Sequence, residues 1–303
     1  MKIIESYQIT EANIVSTNVP DDTRWDNTTN FAKGATALHI VDNEDLLWEA
    51  QQVNVNSTPS HESTVWANLG PAKKLCPFDL QVGLEKYRVI ETSASLADSV
   101  TFTLTGLKRV SGIYLDGLSG KSVTVHATVG GKTVADIDEP LPDITAYNGS
   151  FWRWRFMPRR LAAEFQKTNL NIPADATIVI TVVNPGGTAK LASCVLGMVH
   201  SYPGTRPGVS RSIKGRSTKK SDGLRNSLKR RLPSRKINFP VIITNGRAEA
   251  LLTLLEDLDG MMAVYIGSDS VGRLLTAFGF HTSVTMTAQS KNNSEFLIEV
   301  ESS

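Results

Sequence analysis

Cysteine is nearly absent: the 303 residues hold two, Cys76 and Cys194. A disulfide framework is therefore excluded as the source of stability, and a reducing compartment fits the pair at least as well as a single bridge. Cys76 lies in the proline-flanked LCPFD and Cys194 in the apolar LASCVLGMV, so both read as buried thiols. No apolar run approaches the ~20 residues of a membrane helix, so no membrane insertion is expected. The opening MKIIESYQITEAN has no stretch that would serve as a signal-peptide core. The histidines (His39, His61, His126, His200 and His281) are scattered, with no HExxH or CxxC setting, so no metal site is expected. The phosphate loop GxxxxGKS/T, a GxGxxG after a strand and a GxSxG elbow are all missing. No cofactor and no catalytic residues are expected. Paired acids occur in DIDEP, where Asp136 could be matched with Asp138 or Glu139. That segment reads as an acidic turn; on a strand, Asp136 and Asp138 would share a face. With no cleft or partner spacing around it, the chain does not read as an enzyme.

Charge is scarce as well, at 20% of residues and a net +2. Its distribution is uneven. Arg206–Lys236 contains twelve lysines and arginines against Asp222 alone, a local charge of +11, so the rest of the chain carries about −9. Glycines and serines alternate with single charges there and no apolar period persists. The stretch reads as extended and partly solvated. A nucleic-acid arm, a solvated linker and a connector docking on acidic neighbours all fit it.

The remainder is ordinary in hydrophobic content, at 41%, and long enough for two or three domains. Five segments are expected: an extended lead-in over 1–20, a small Trp-rich module over 21–80, an antiparallel β-sandwich over 81–203, the basic connector over 204–236, and a small α+β domain over 237–303. The fold class is mainly β. Val100–Thr105 alternates apolar residues with threonine, and Val123–Val129 alternates again before Gly130-Gly131, a two-residue hairpin signal. Ile178–Val183 and Leu191–Val199 look like strands joined by the turn Asn184-Pro-Gly-Gly187. Pro158–Thr168 can make a short helix.

Two aromatic clusters stand out. Three of the five tryptophans, Trp25, Trp48 and Trp66, fall in the small module together with Phe31. A unit this short needs large side chains for any core, so the rings either pack on one another or form an exposed sugar-stacking platform. The second cluster is Phe151-Trp-Arg-Trp-Arg-Phe156. Read as a strand, it puts Trp152, Trp154 and Phe156 on one face and Arg153 and Arg155 on the other. Such a ribbon could stack and pair with nucleic acid, or it could be a sandwich strand with aromatics inside and arginines outside.

After residue 236 the pattern changes. Ile237–Ile243 is a strand with Pro240 inside, which suits an edge or bulge. Thr244-Asn245 offers a cap for a helix over Gly246–Asp259, with Ala248, Leu251, Leu252, Leu255 and Leu258 in one stripe and Gly260 ending it. That stripe must dock on a sheet, and Met262–Ile266, Leu274–Phe280 and Phe296–Val300 supply strands.

The order Trp25, Phe31-x-x-Gly34, Leu47-Trp48-Glu49-Ala50, Asn54, Pro59, Trp66 resembles the small three-stranded modules of chitin-binding type, with Ala35 where an Asp is usual and Trp48 in place of Tyr. The order of the whole chain resembles a family of bacteriophage virion proteins, minor tail, tail-tip or baseplate components. The resemblance is carried by that module, the Trp152-Arg-Trp-Arg-Phe segment, Leu196-Gly197 leading to Gly204 and Gly208, Lys219-Lys220-Ser-Asp222-Gly223, Arg230-Arg231 and the strand–helix unit holding Ala248–Leu258. It implies a non-enzymatic structural subunit in the virion tail, made in the host bacterial cytoplasm, whose partners are other tail proteins and copies of itself. The inter-subunit residues would be Arg211, Lys214, Arg216, Lys219, Lys220, Arg225, Lys229, Arg230, Arg231 and Arg235. A carbohydrate-binding module facing a host-surface glycan is the first alternative, and nucleic-acid binding through 206–236 the second.

Overall fold

The structure, a computed structural model, describes residues 1–41, 44–79, 93–145, 149–202, 205–206, 208–215, 217–222, 225–229, 234–268, 275–288 and 290–302, with backbone alone at 44, 218–222, 225–229 and 234. Strands account for 56% and helices for 10%, in antiparallel sheets, so the protein is mainly β. The chain forms two compact units. One is Tyr7–Gly197; the other joins Met1–Ser6 to Met198–Ser303.

In the Tyr7–Gly197 unit, five strands run in the order Ile14–Thr17, Ala94–Leu104, Thr177–Leu191, Ser122–Val129, Lys132–Pro140. Facing them is a second layer of Phe165–Ile172, Val110–Asp116 and the first half of Ser193–Ser201. The layers share one apolar core: Phe102 and Leu104, Val123 and Val125, Ile178 and Ile180 from the first, Ile113, Leu115, Ile172 and Leu196 from the second. This sandwich-like packing follows from the alternation. Val100–Leu104, Val123–Ala127 and Ile178–Val182 bury every second residue and leave the threonines between them half-exposed. Gly130 and Gly131 both take positive φ (54° and 77°), as a type I′ hairpin between Ser122–Val129 and Lys132–Pro140 requires.

Three local expectations are corrected here. The acidic turn at DIDEP is strand: Lys132–Pro140 pairs with Ser122–Val129, and its inward Ile137 is buried while Asp136 and Asp138 face out. The turn Asn184–Gly187 does not end a strand. Thr177–Leu191 pairs with Ala94–Leu104 on both sides of it, up to Asn184↔Asp98 and again from Thr188↔Ala97. The intervening residues bulge out, with Gly186 at φ 73° donating its N–H to Asp98 Oδ1 at 2.7 Å. The short helix over Pro158–Thr168 is also absent. Phe165–Ile172 is a strand against Val110–Asp116, and Phe165 and Ala162 are buried. Leu161 and Phe165 have helical spacing, but cross-strand pairing with Leu115 overrides it.

A three-stranded sheet of Thr36–Val41, Glu44–Ala50 and Trp66–Pro71 completes this unit.

In the other unit the strands run Lys2–Ser6, Ala263–Ile266, Thr276–Ala288, Asn293–Ser302, Ser234–Thr244, Ser210–Lys214. Within the expected lead-in of residues 1–20, Lys2–Ser6 is a paired strand of this unit. Ile3 and Ile4 are fully buried although they point to opposite faces, and a strand covered on both faces shows no period of two. The helix Asn245–Asp257 lays Ala248, Leu251, Leu255 and Leu258 on the sheet, with Leu254 buried beside them and Leu252 partly buried. Its start differs from expectation. Thr244 makes no side-chain cap, and Asn245 instead reaches the Ser290 and Lys291 carbonyls at 3.4 and 2.8 Å while accepting from Ser294 Oγ at 2.7 Å. Pro240 lies beyond the end of the Ser210–Lys214 pairing. On that side its carbonyl accepts from Arg206 N at 2.9 Å, and the missing N–H costs no ladder bond.

Candidate docking surface

Residues 142–145 and 160–162 run side by side as the base of a stalk that carries the described residues 149–159. Asp143 and Leu161 form a bridge, Ile144 N donates to Arg160 O at 2.8 Å, and Ala162 N donates to Pro142 O at 2.9 Å. Asp143 Oδ1 accepts from Thr145 N at 2.9 Å, and Thr145 Oγ1 accepts from Arg160 N at 2.7 Å, fixing the base. Beyond it Phe151–Phe156 is a short α-helix, not the strand expected from its alternation. The reason is local. Ser150 caps the start, its Oγ accepting from Arg153 N at 3.4 Å, and Pro158 follows the last turn. Helical winding also brings Trp152 and Phe156, four apart, into a stack with centroids 5.7 Å apart and planes at 10°. Arg155 sits over the Phe156 ring at 5.8 Å.

The helix buries none of its residues. Phe151, Trp152, Trp154 and Phe156 are 62%, 69%, 49% and 69% exposed, and every residue from Phe151 to Arg160 is exposed. Both expected roles for this segment as a strand are therefore replaced: the aromatics are not inside the sandwich, and they form no ribbon. Arg153, Arg155, Arg159 and Arg160 accompany them, and no acid occurs in sequence between Asp143 and Glu164. Apolar surface held out in this way costs about 25 cal/mol for each Å² left in water. Aromatic residues and arginine are the types enriched where proteins meet.

The first aromatic cluster behaves oppositely. Phe31, Trp48 and Trp66 are buried in one cluster with Ala37, Leu46 and Ala50, and Trp25 is half-buried beside them. Phe31 meets Trp66 edge-on at 5.2 Å, and Trp66 Nε1 donates to Ser57 O at 2.8 Å. Trp25 packs edge-on to His39 at 5.1 Å. Next to it Asp26 accepts from the side chains and backbone N–H groups of Thr28 and Thr29. These bonds hold its carboxyl well below the usual carboxylate range. Arg24 pairs with the buried Asp45 at 3.0 Å, yet burial outweighs that pull and pushes the Asp45 carboxyl up. Of the two readings of these rings, mutual packing is the one observed for Phe31, Trp48 and Trp66.

Within the basic stretch, Ser210–Lys214, Thr218–Asp222, Arg225–Lys229 and the start of Ser234–Thr244 are strand. Arg211 and Lys214 lie exposed on Ser210–Lys214, paired with Ser234–Thr244, which carries Arg235 opposite Ile213. Lys219, Lys220, Arg225 and Lys229 belong to the hairpin Thr218–Asp222 with Arg225–Lys229. Arg216, Arg230 and Arg231 lie outside the described residues. Acids of the neighbouring Asn293–Ser302 strand meet the two ends. Arg206 is 3.3 Å from Glu295, and Lys236 is 2.8 Å from Glu299 and 3.9 Å from Glu301. The hydrogen bond to Lys236 leads the causes that hold the Glu299 carboxyl below its ordinary 4.5, ahead of one from Ser283. The same bond holds the Lys236 ammonium above its ordinary 10.5.

A pH dependence follows. The Glu299 contribution to stability is present above its ordinary pKa and is lost as pH falls through the lowered native value. The Lys236 contribution is present below 10.5 and is lost as pH rises through the raised native value. In thermal melts, Glu299→Gln should therefore melt below the wild-type chain at neutral pH, and the gap should close on acidification below 4.5. A gap that is constant with pH would show that the pair does not contribute through its charge.

Among the described residues no group of three or more histidines, cysteines, aspartates and glutamates could hold a metal ion. Cys76 and Cys194 are buried and form no disulfide, and burial pushes the Cys194 thiol far up. The features that define the molecule are therefore antiparallel, sandwich-like packing and an exposed aromatic–arginine segment. No family model matches the chain, and no curated protein or solved structure matches it either.

The Trp-Arg-Trp-Arg segment is plain in the sequence, but its alternation suggests a strand where the chain forms a helix. The signal that could have corrected it is the pair of brackets around it, Gly149-Ser150 before and Pro158 after.

Proposed function

We propose that the chain is a structural subunit that assembles with other proteins, as a component of a bacteriophage tail, and that it does no chemistry of its own. The observation that carries this reading is the helix Phe151–Phe156, which exposes four aromatic rings and buries none of its residues. A side chain kept in water at that cost is explained by a partner surface that covers it. The order of motifs along the chain supports the virion setting. The basic strands at 210–236 supply a second, polar contact; charge there sets register more than affinity. The burial of Phe31, Trp48 and Trp66 supports a packing role for the small module over a glycan platform.

The test is incorporation into purified particles, read by mass spectrometry and imaging. Trp152→Ala with Trp154→Ala should leave the circular-dichroism spectrum and melting midpoint unchanged, since both rings are exposed. Incorporation should fall by roughly 30-fold or more, the loss expected for interface hot spots worth at least ~2 kcal/mol. Absence of the wild-type chain from particles, or normal incorporation of the double variant, would overturn the reading.

A further inference from the structure

The outer face of the five-stranded sheet has an order that the proposed assembly role does not by itself use. Two cross-strand rows run over it. Thr101, Thr181, Thr124 and Asp138 are in register from strand to strand, and so are Thr103, Val179, His126 and Asp136. Their alternate neighbours point into the core, while these residues are half-exposed or exposed. Thr101 and Thr181 hold their hydroxyls 3.1 Å apart. The rows therefore present threonine and valine methyl groups, with His126 among them, and end on the edge strand Lys132–Pro140 in two carboxylates. These stand two residues apart on one face, about 7 Å. Asp136 is 75% exposed, with His126 Nδ1 3.4 Å away, and Val134, 41% exposed, extends the same line. Glu139 faces the other way and is paired with Lys167.

Resting on the docking role of the stalk, we propose that the surface it seats on is this acid-ended sheet face of a second copy of the chain. Rings from Phe151–Phe156 lie on the threonine and valine bed, and the guanidinium groups of Arg153 and Arg155 meet Asp136 and Asp138, a pairing that planar bidentate geometry favours. Charge complementarity selects this occupant: the segment Phe151–Arg160 bears four arginines and no acid, and the face ends in two exposed carboxylates. The stalk also begins at 143, directly after the acidic strand ends at Pro140. Donor and acceptor surfaces are thus adjacent in sequence, and two copies can exchange stalks reciprocally in a twofold pair. An anionic membrane would satisfy the stalk and leave the acid-ended face unexplained.

Sedimentation velocity of the full chain tests this. The wild-type chain should self-associate, and less so as salt is raised. Trp152→Ala with Trp154→Ala and, separately, Asp136→Lys with Asp138→Lys should each weaken association by roughly 30-fold or more with unchanged circular dichroism. Arg153→Asp and Arg155→Asp combined with Asp136→Arg and Asp138→Arg should restore it. A monomeric wild-type chain, or a sheet-face variant that associates normally, would overturn the proposal. If that monomer still enters particles in a Trp152-dependent way, self-docking fails and the assembly role stands. If it binds phosphatidylserine vesicles in the same way, the covering surface is lipid and self-docking again fails.

Discussion

Trp48→Ala is expected to cost about 3–5 kcal/mol, the range for deleting a buried large aromatic side chain. Trp48 is 1% exposed, in the middle strand of the three-stranded sheet, with Ala37 opposite it on one side and Asn68 on the other, and the His61 ring 5.2 Å away. Removing it empties the centre of a cluster whose other large members are Phe31 and Trp66, and a sheet of three strands has little else to collapse into the gap. The loss is large against the 5–15 kcal/mol that holds a typical domain. Chemical denaturation should show a lower midpoint, and limited proteolysis should cut within 31–66. Trp48→Phe should cost far less. It keeps most of the apolar area and drops an indole N–H that finds no acceptor among the described residues. A Trp48→Ala chain that unfolds at the wild-type midpoint and loses retention on a polysaccharide would reverse this, making the ring a ligand platform.

The second large effect is expected at Gly117→Ala, at about 2–5 kcal/mol from two separate costs. Gly117 has φ 61°, and a residue with a Cβ loses about 1–2 kcal/mol in that left-handed conformation. The new methyl would also run into the Ala192 side chain and lie 3.5 Å from its Cα, at a corner closed by Ala192 N donating to Asp116 O at 3.1 Å. Overpacking of this kind costs roughly 1–3 kcal/mol more. The two can be separated. Ala192→Gly in the Gly117→Ala background should recover the steric part and leave the backbone part. If the second substitution recovers nothing, the clash is relieved by movement and the conformational cost is the whole effect.

Much of this fold was legible from residue spacing. Val123, Val125 and Ala127 point inward at every second position, as the alternation of Val123–Val129 required, and the two glycines after them form the expected hairpin. Ala248, Leu251, Leu255 and Leu258 face the sheet as the helical stripe demanded. In each case burial of one face is the only arrangement that hides the apolar residues, so the pattern and the structure share one cause. The candidate site was legible in composition and not in shape. Its tryptophans and arginines were visible, but six residues alternating in type satisfy a strand and one and a half helical turns equally well. Asp136 and Asp138 were visible as a pair that a strand would put on one face, but the rows leading to them were not, because they are assembled from four strands spread over residues 101–181.

Mainly β structure and the long amphipathic helix Asn245–Asp257 follow from residue order alone, because those features rest on periods of two and of 3.6 within single elements. Which segments find partners depends on pairing between residues far apart in the chain. Lys2–Ser6 became a buried strand by pairing with Ala263–Ile266, more than 250 residues away. Asn184–Gly187 became a bulge because Ala94–Leu104 continues past it. Phe151–Phe156 received no strand to pair with. A lone strand leaves its N–H and C=O groups to water, and a capped helix satisfies some of them within itself, so the aromatic–arginine segment wound into a helix and stayed exposed.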